Sequence, residues 1–276
     1  MTMAIITIYQ GASGSGQELA EAVAQSLGYG CISREVLVEA SLSYGIPEAK
    51  LNDIVEKEPN WWGRFLLNLQ PYRIALQAAF CEIAEDNGIV YHGHIGHELV
   101  PDLKHVLKVL LTAPTEVRIE QVKARQNLNH AAARRYVEEV DKARSRRLMA
   151  MFGTDWRDPS RFDLVLNLGR MSSEAAIRLI LETVRLPDYQ MTPASKQAFS
   201  DFSLAARVHA ALVLSSNMSG AMLDVKAKEG EVSVSGTLPY WLSDQSVVEQ
   251  IQKIQGVKGV RTDDLVRAPL DFGLGT

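Results

Sequence analysis

The 276-residue chain lacks several features that would place it in a specialised class of protein. It has only two cysteines, Cys31 and Cys81, which excludes a disulfide framework and suits buried thiols in a reducing compartment. No apolar run approaches the roughly 18 to 20 residues that span a bilayer, so no transmembrane helix is expected. The run from Ile5 to Ile8 is too short to serve as an export signal. A cytoplasmic protein is therefore predicted.

The chain also lacks an excess of positive charge, since 33 acidic residues face 29 lysines and arginines, for a formal net charge of −4. Such a balance gives no global attraction to nucleic acid or to an anionic membrane, so a nucleic-acid partner is not predicted. Any recognition of phosphate must come from local clusters. No internal repeat is evident, and the length favours a larger domain followed by a smaller one.

Apolar periodicity indicates alternating strands and helices in the first two thirds of the chain. Strands are expected at 5–8, 89–92, 106–112 and within "FDLVLNLG", and helices at 17–27, 34–43, 117–125, 131–151 and within "SSEAAIRLILETV". A helical stretch from 47 to 88 is expected to break near Pro71. This alternation predicts an α/β fold in which helices cover both faces of a parallel sheet.

The segment "LPDYQMTPASKQAFSD" contains two prolines, polar turn residues and no sustained apolar period, which is typical of a linker. A different pattern follows it: a helix at 202–214, strands near 223–227 and 231–235, a helix at 247–254 and a strand at 260–265. The predicted organisation is an α/β domain at 1–186, a linker at 187–200 and a small α+β domain at 201–268.

A glycine-rich turn joins the first strand to the first helix, in the stretch "IYQGASGSGQELA". Glycines at 11, 14 and 16 let backbone N–H groups converge on an anion at a helix N-terminus. The full phosphate-binding pattern continues with Lys and then Ser or Thr, whereas Gln17 and Glu18 occupy these positions. Two interpretations stay open: a phosphate site of reduced charge, or a turn that uses glycine only for its geometry.

Three stretches resemble the cytidylate-kinase-like family of P-loop nucleotide kinases. They begin at "GSGQELAEAVAQSLGYGCISREVLVEAS", at "GIVYHGHIGHELVPDLKHVLKVLL" and at "ARRYVEEVDKARSRRLMAMFGTDW". The resemblance implies ATP and Mg²⁺ as cofactors and transfer of a phosphoryl group to CMP or a similar monophosphate. It also implies site residues. Nucleotide binding would involve Gly11, Gly14, Ser15, Gly16, Gln17 and Arg34, and catalysis would involve Arg125, Asp141 and Arg144, with no metal ligand assigned.

The chain departs from that family at three polar positions. The family usually has Arg where this chain has Gln17, Asp where it has Ser33 and Arg where it has His94. Two cations are thereby lost from a site whose catalysis depends mainly on positioning and charge stabilisation. A second hypothesis is therefore kept, in which the domain is a non-catalytic sensor or scaffold that binds a nucleotide or a partner.

Two clusters have alternative interpretations. Between residues 118 and 147, nine lysines and arginines face four acids, which indicates either a phosphate-gripping lid or a solvated helix face with i,i+4 ion pairs. The "HGHIGH" stretch could hold a metal ion through His92, His94 and His97, but no Cys or carboxylate completes the ligand set. An acceptor-side loop is the favoured interpretation there.

The C-terminal stretches "LAARVHAAL", "LDVKAKEGEVSVSG" and "IQGVKGVRTDDLV" resemble a BON domain over 201–266. This resemblance implies an interaction or dimerisation module with a protein or lipid partner, and it leaves homo-oligomerisation open. Trp61 and Trp62 are expected in a core or a dimer interface, with a lipid contact as the alternative.

Overall fold

The computed structural model describes residues 3–11, 16–56, 69–85, 88–218 and 220–268. Trp61, Trp62, Gly14 and Ser15 lie outside these ranges, so the expectations made for them stay predictions. No helix within the described ranges combines the length and the apolar character that crossing a membrane requires.

A five-stranded parallel sheet forms the centre of the first two thirds of the chain, as the sequence predicted. Its order is β2-β3-β1-β4-β5, so β1 is the central strand. The strands are β1 Ile5–Gln10, β2 Gly30–Ile32, β3 Ile89–His92, β4 Val106–Thr112 and β5 Leu164–Asn167. The three-residue edge strand β2 was not predicted, because a run that short has no readable alternation.

Helices cover both faces of the sheet, which confirms the predicted α/β architecture. Side chains alternate along β1: Ile5 and Tyr9 pack into one hydrophobic cluster, whereas Ile6 and Ile8 pack into another. The helices are α1 Gly16–Leu27, α2 Glu35–Tyr44, α3 Glu48–Glu56, α4 Gln70–Ala84, α5 Gly96–Leu99, α6 Thr115–Gln126, α7 His130–Phe152 and α8 Ser173–Val184. Pro71 lies in the first turn of α4, where proline costs no helical hydrogen bond, and so it starts that helix.

The last part of the chain forms a smaller mixed sheet of order β6-β7-β8. Strands β6 and β7 are antiparallel, and β8 runs parallel to β7. Val232 and Val234 are buried in its core while Ser233 between them is exposed, because side chains alternate along a strand. Its elements are α9 Pro193–Val213, β6 Met222–Lys228, β7 Glu231–Leu238, α10 Asp244–Ile251 and β8 Gly259–Arg267.

The segment predicted as a linker is helical over most of its length, which corrects that expectation. Helix α9 begins at Pro193, and Thr192 and Ser195 form a capping box at its start. Phe199 is 3% exposed and packs in the core beside α4, while Leu204 packs in the core of the smaller sheet. One helix therefore contributes to both cores. The domain division itself stays a prediction.

Candidate active site

A cavity of about 270 Å³ lies where the carboxyl ends of β1 and β3 meet. Ligands of open α/β folds bind at this edge of the sheet. One side of the cavity, here named the loop wall, consists of Gln10, Gly11, Gln17, His92 and His94. The opposite side, the helix wall, consists of Val122, Arg125 and Gln126 from α6 with Tyr136, Val140 and Arg144 from α7.

Gly11 in the loop wall and Gly16 next to it each have side-chain atoms close to the position that a Cβ would occupy. A Cβ at Gly16, the first residue of α1, would lie 2.1 Å from Oε1 of Gln10 and 2.9 Å from Nε2 of His92. A Cβ at Gly11 would lie 3.1 Å from a terminal nitrogen of Arg118. A side chain at Gly16 or Gly11 would therefore require these neighbouring side chains to shift, by more at Gly16 than at Gly11.

Gln17 is exposed at the cavity, and its amide donates a hydrogen bond of 2.9 Å to Glu21 one turn along α1. Glu18 is also exposed in the first turn, where a carboxylate stabilises the helix N-terminus. None of the described residues of the loop wall is a Lys or Arg. The N-terminal end of α1 adds positive potential on this side.

Arg144 spans the cavity from the helix wall to the loop wall. Its guanidinium donates 2.8 Å to the backbone oxygen of Gln10 and lies 2.9 Å from Nε2 of His94. These contacts place a cation at the end of β1, beside the glycine-rich turn. An arginine in this position has the donor geometry for bidentate contact with phosphate oxygens.

Asp141 lies one turn before Arg144 and pairs with Arg118 of α6. The two guanidinium–carboxylate contacts between them measure 2.7 and 2.9 Å, and Arg118 is 8% exposed. Because this ion pair joins α6 to α7, it fixes the two helices that carry Arg125 and Arg144. Nothing in the sequence signalled the pairing, since residues 23 positions apart on different helices have no shared periodicity.

The structure therefore brings together several of the predicted site residues and separates one. Arg125, Arg144, Gly11 and Gln17 line the cavity, and Gly16 and Asp141 adjoin it. Arg34 precedes α2, pairs with Glu48 at 3.1 Å and is 70% exposed, and it does not line this cavity. Its predicted role on the acceptor stays a prediction. Sequence reasoning missed Gln10 and Tyr136, which carry no motif.

The histidines near the cavity are held in their neutral form. Burial is the main cause that lowers the pKa of His92 and of His94, and Arg144 lowers both further. Burial, with Lys108 and Arg161, also lowers the pKa of His97 to about 3. Within the described ranges, no group of three His, Cys, Asp or Glu side chains is arranged to hold a metal ion.

An aromatic layer lies behind the cavity. Tyr9 stacks on Trp156 at a ring distance of 5.3 Å, and it meets the rings of His94 and His97 edge to face. Burial raises the pKa of the Tyr9 hydroxyl above its ordinary value. Tyr9 and Trp156 are both buried, so the ring of His94 meets an apolar, solvent-excluded environment where it contacts Tyr9.

Known proteins resemble the part of this chain that forms the parallel sheet. The model of the cytidylate kinase-like family matches residues 5–170. A cytidylate kinase of Sulfurisphaera tokodaii is 25% identical over 74% of this chain and 100% of its own length. A cytidylate kinase of Methanopyrus kandleri is 32% identical over 36% of this chain, and the match spans 55% of that protein.

Among solved structures, an uncharacterized protein from Eubacterium ventriosum superposes with a TM-score of 0.53 and 17% identity. That similarity covers 66% of this chain and 98% of the other, and at such identity it supports the fold alone.

Proposed function

The chain belongs to the cytidylate kinase-like family, and we propose that its cavity binds a nucleotide and transfers the γ-phosphoryl group of ATP to CMP or a similar nucleoside monophosphate. The observation that carries the proposal is the placement of Arg125 and Arg144 on one wall, opposite a glycine turn at a helix N-terminus. Both features attract phosphate, and both lie at the edge of the sheet where ligands of this fold class bind.

The proposed roles follow from the contacts. Arg144 neutralises charge on the transferred phosphoryl group, because it already reaches the end of β1. Arg125 supplies a second cation from α6. Asp141 acts through Arg118, holding α6 against α7 so that both arginines face the turn. Backbone N–H groups at the start of α1 orient the phosphates of the donor.

ATP and Mg²⁺ are proposed from the family. Among the described residues, no group of three His, Cys, Asp or Glu side chains is arranged to hold Mg²⁺, and the carboxylate of Asp141 is engaged by Arg118. The ion is expected to arrive on the phosphates of the nucleotide and to keep its waters. No step of the proposed reaction is assigned to a protein-bound metal.

Titration calorimetry with CMP, UMP, AMP and ATP, each with and without Mg²⁺, tests the binding part of the proposal. An ADP-release assay on every pair that binds then tests transfer. Binding of a monophosphate that Arg144→Met weakens supports the site. Absence of binding by every nucleotide would remove the proposed function altogether.

A second function is favoured by specific contacts: a non-catalytic nucleotide sensor. Gln17 gives the turn no cation and is engaged with Glu21, while Arg34 pairs with Glu48 outside the cavity. Such a site would bind a nucleotide without turnover. Calorimetric binding in the absence of ADP release would select this function over the enzyme.

We also propose that the C-terminal unit is a BON-like interaction module. Its order of a helix, two antiparallel strands, a helix and a strand parallel to the second supports this proposal. Tyr240 and Trp241 are each 63% exposed and meet edge to face, offering an aromatic contact. Sedimentation of the full chain with anionic and neutral liposomes, compared with Trp241→Ser, distinguishes a lipid partner from a protein partner.

A further inference from the structure

The ring of His94 accepts a hydrogen bond from the guanidinium of Arg144. His94 lies two residues after β3, and its Nε2 is 2.9 Å from a terminal nitrogen of Arg144. A guanidinium only donates, so Nε2 must be the acceptor and the ring proton must reside on Nδ1. His94 is therefore a neutral imidazole while Arg144 holds it.

The other ring nitrogen of His94, Nδ1, makes no hydrogen bond with the described residues. Nδ1 of His94 is buried and has no hydrogen-bond partner among the described residues, although His94 lines the cavity. Buried donors are rarely left unpaired in folded proteins, and an exception calls for a reason such as a ligand that supplies the acceptor. The cavity next to His94 is the place where such a ligand could lie.

The surroundings of His94 favour the neutral ring only while the cavity holds no anion. Arg144 and Arg147 face it from α7, His92 from β3, His97 from α5 and the ring of Tyr9 from β1. Burial, and after it the charges of Arg144 and Arg147, lower the pKa of His94 well below its ordinary value. No carboxylate is among these neighbours, so an arriving anion would bring negative charge that the described neighbours of His94 lack.

We propose, on the basis of the phosphate site inferred above, that His94 is a proton-dependent ligand for a dianionic phosphate. When the anion takes the Arg144 donor, Nε2 of His94 loses its hydrogen bond, and the ring takes up one proton from solvent. His94 then donates from a protonated ring and stands beside the phosphate as a second cation. The site therefore gains positive charge only when phosphate is bound.

Linkage gives this inference a measurable signature. If the free site holds a neutral ring and the bound site a protonated one, the affinity rises up to about tenfold for each unit that the pH falls. Sulfate is the appropriate probe, because it stays a dianion across the range where histidine titrates. CMP serves as the second probe, with the ionisation of its own phosphate common to all variants.

The experiment is titration calorimetry of the full chain with sulfate and with CMP between pH 5.5 and 8, in buffers of different ionisation enthalpy. Uptake of close to one proton per sulfate is expected. His94→Gln keeps an acceptor oxygen for Arg144 but cannot titrate, so its sulfate affinity should lose most of the pH dependence. His92→Gln removes the other cavity histidine and should retain the dependence.

Two results separate failure of this inference from failure of the proposed function. Sulfate binding with the same pH dependence in the unmodified protein and in His94→Gln would overturn the role of His94 and leave the phosphate site intact. No binding of sulfate or CMP at any pH would overturn both. If His94→Gln does not fold, ¹⁵N spectra of histidine in the unmodified protein decide: Nδ1-protonated His94 without sulfate and a doubly protonated ring with it support the inference, and an unchanged ring contradicts it.

Discussion

The two walls of the cavity differ in the charged side chains that they carry. The helix wall carries Arg125 and Arg144, and the ion pair of Arg118 with Asp141 fixes its two helices together. The loop wall carries glycines and an exposed Gln17 that bonds along its own helix. The positive side chains thus originate on one side of the site, and they reach the other side only through Arg144, whose guanidinium contacts Gln10 and His94.

This difference indicates that nucleotide binding and phosphoryl transfer depend on separate parts of the site. A monophosphate can be held by arginines on one wall, because one or two charge-assisted hydrogen bonds give appreciable affinity. Transfer from ATP also requires stabilisation of charge that develops between donor and acceptor, close to the turn. A site with charge on one wall is therefore expected to bind better than it turns over.

The largest effect is expected from breaking the support of the helix wall with Asp141→Ala. This change leaves Arg118 buried without its carboxylate, and loss of one partner of a buried pair costs about 3 kcal/mol when the pair is partly accessible. The melting temperature should fall by roughly 6 to 12 °C. Thermal unfolding followed by circular dichroism measures it.

Glu138→Ala is the matched control on the same helix. Its ion pair with Arg134 is 3.9 Å long and exposed, so it should change the stability by no more than about 1 kcal/mol. Equal losses in the two variants would show that the Asp141 pair does not support the wall.

Charge on the helix wall is tested directly by Arg144→Met, which keeps the length of the side chain and removes its donors. A charge-assisted contact contributes about 1.5 to 3 kcal/mol, so CMP affinity should fall roughly 10- to 150-fold. Arg135→Met, on the exposed side of α7, should leave the affinity unchanged. Calorimetry measures the CMP affinity of both variants. Equal losses of affinity in Arg144→Met and Arg135→Met would show that the charge of the helix wall has no specific role in binding.

Much of the fold could be predicted from the sequence because its signals are local. Buried strands such as β4 gave continuous apolar runs, and α1 and α8 gave apolar residues at helical spacing. The start of α9 gave no such signal. Phe199 is the one large apolar residue of its first two turns. Ser200 and Ser203 donate to Glu85, which lies more than 100 residues earlier in the chain. A tertiary contact of that kind cannot be read from a local window.

The site could be predicted only in part, for the same reason. The turn and the arginines of α6 and α7 were found through motif and family resemblance, and the structure places Arg125 and Arg144 together. The contact between Arg144 and His94 was not foreseen, since it joins residues 50 positions apart. Arg34 shows the converse, because family resemblance assigned it to the site, whereas in the structure it pairs with Glu48 and does not line the cavity.

The smallest effect is expected from restoring charge to the loop wall with Gln17→Arg. The new guanidinium would lie at the cavity mouth, but its exposure to solvent should limit the gain in ATP affinity to about tenfold, the lower end for a charge-assisted contact. Glu21 also competes for it, as it already accepts from Gln17. Transfer to CMP should stay about as slow as in the unmodified protein, because Ser33 and His94 remain as they are, and adding Ser33→Asp and His94→Arg should be needed for fast turnover. Calorimetry and an ADP-release assay on the single and triple variants test this order. Efficient phosphorylation of CMP by the unmodified protein would show that the loop wall needs no cation, and the contrast between the walls would then have no catalytic meaning.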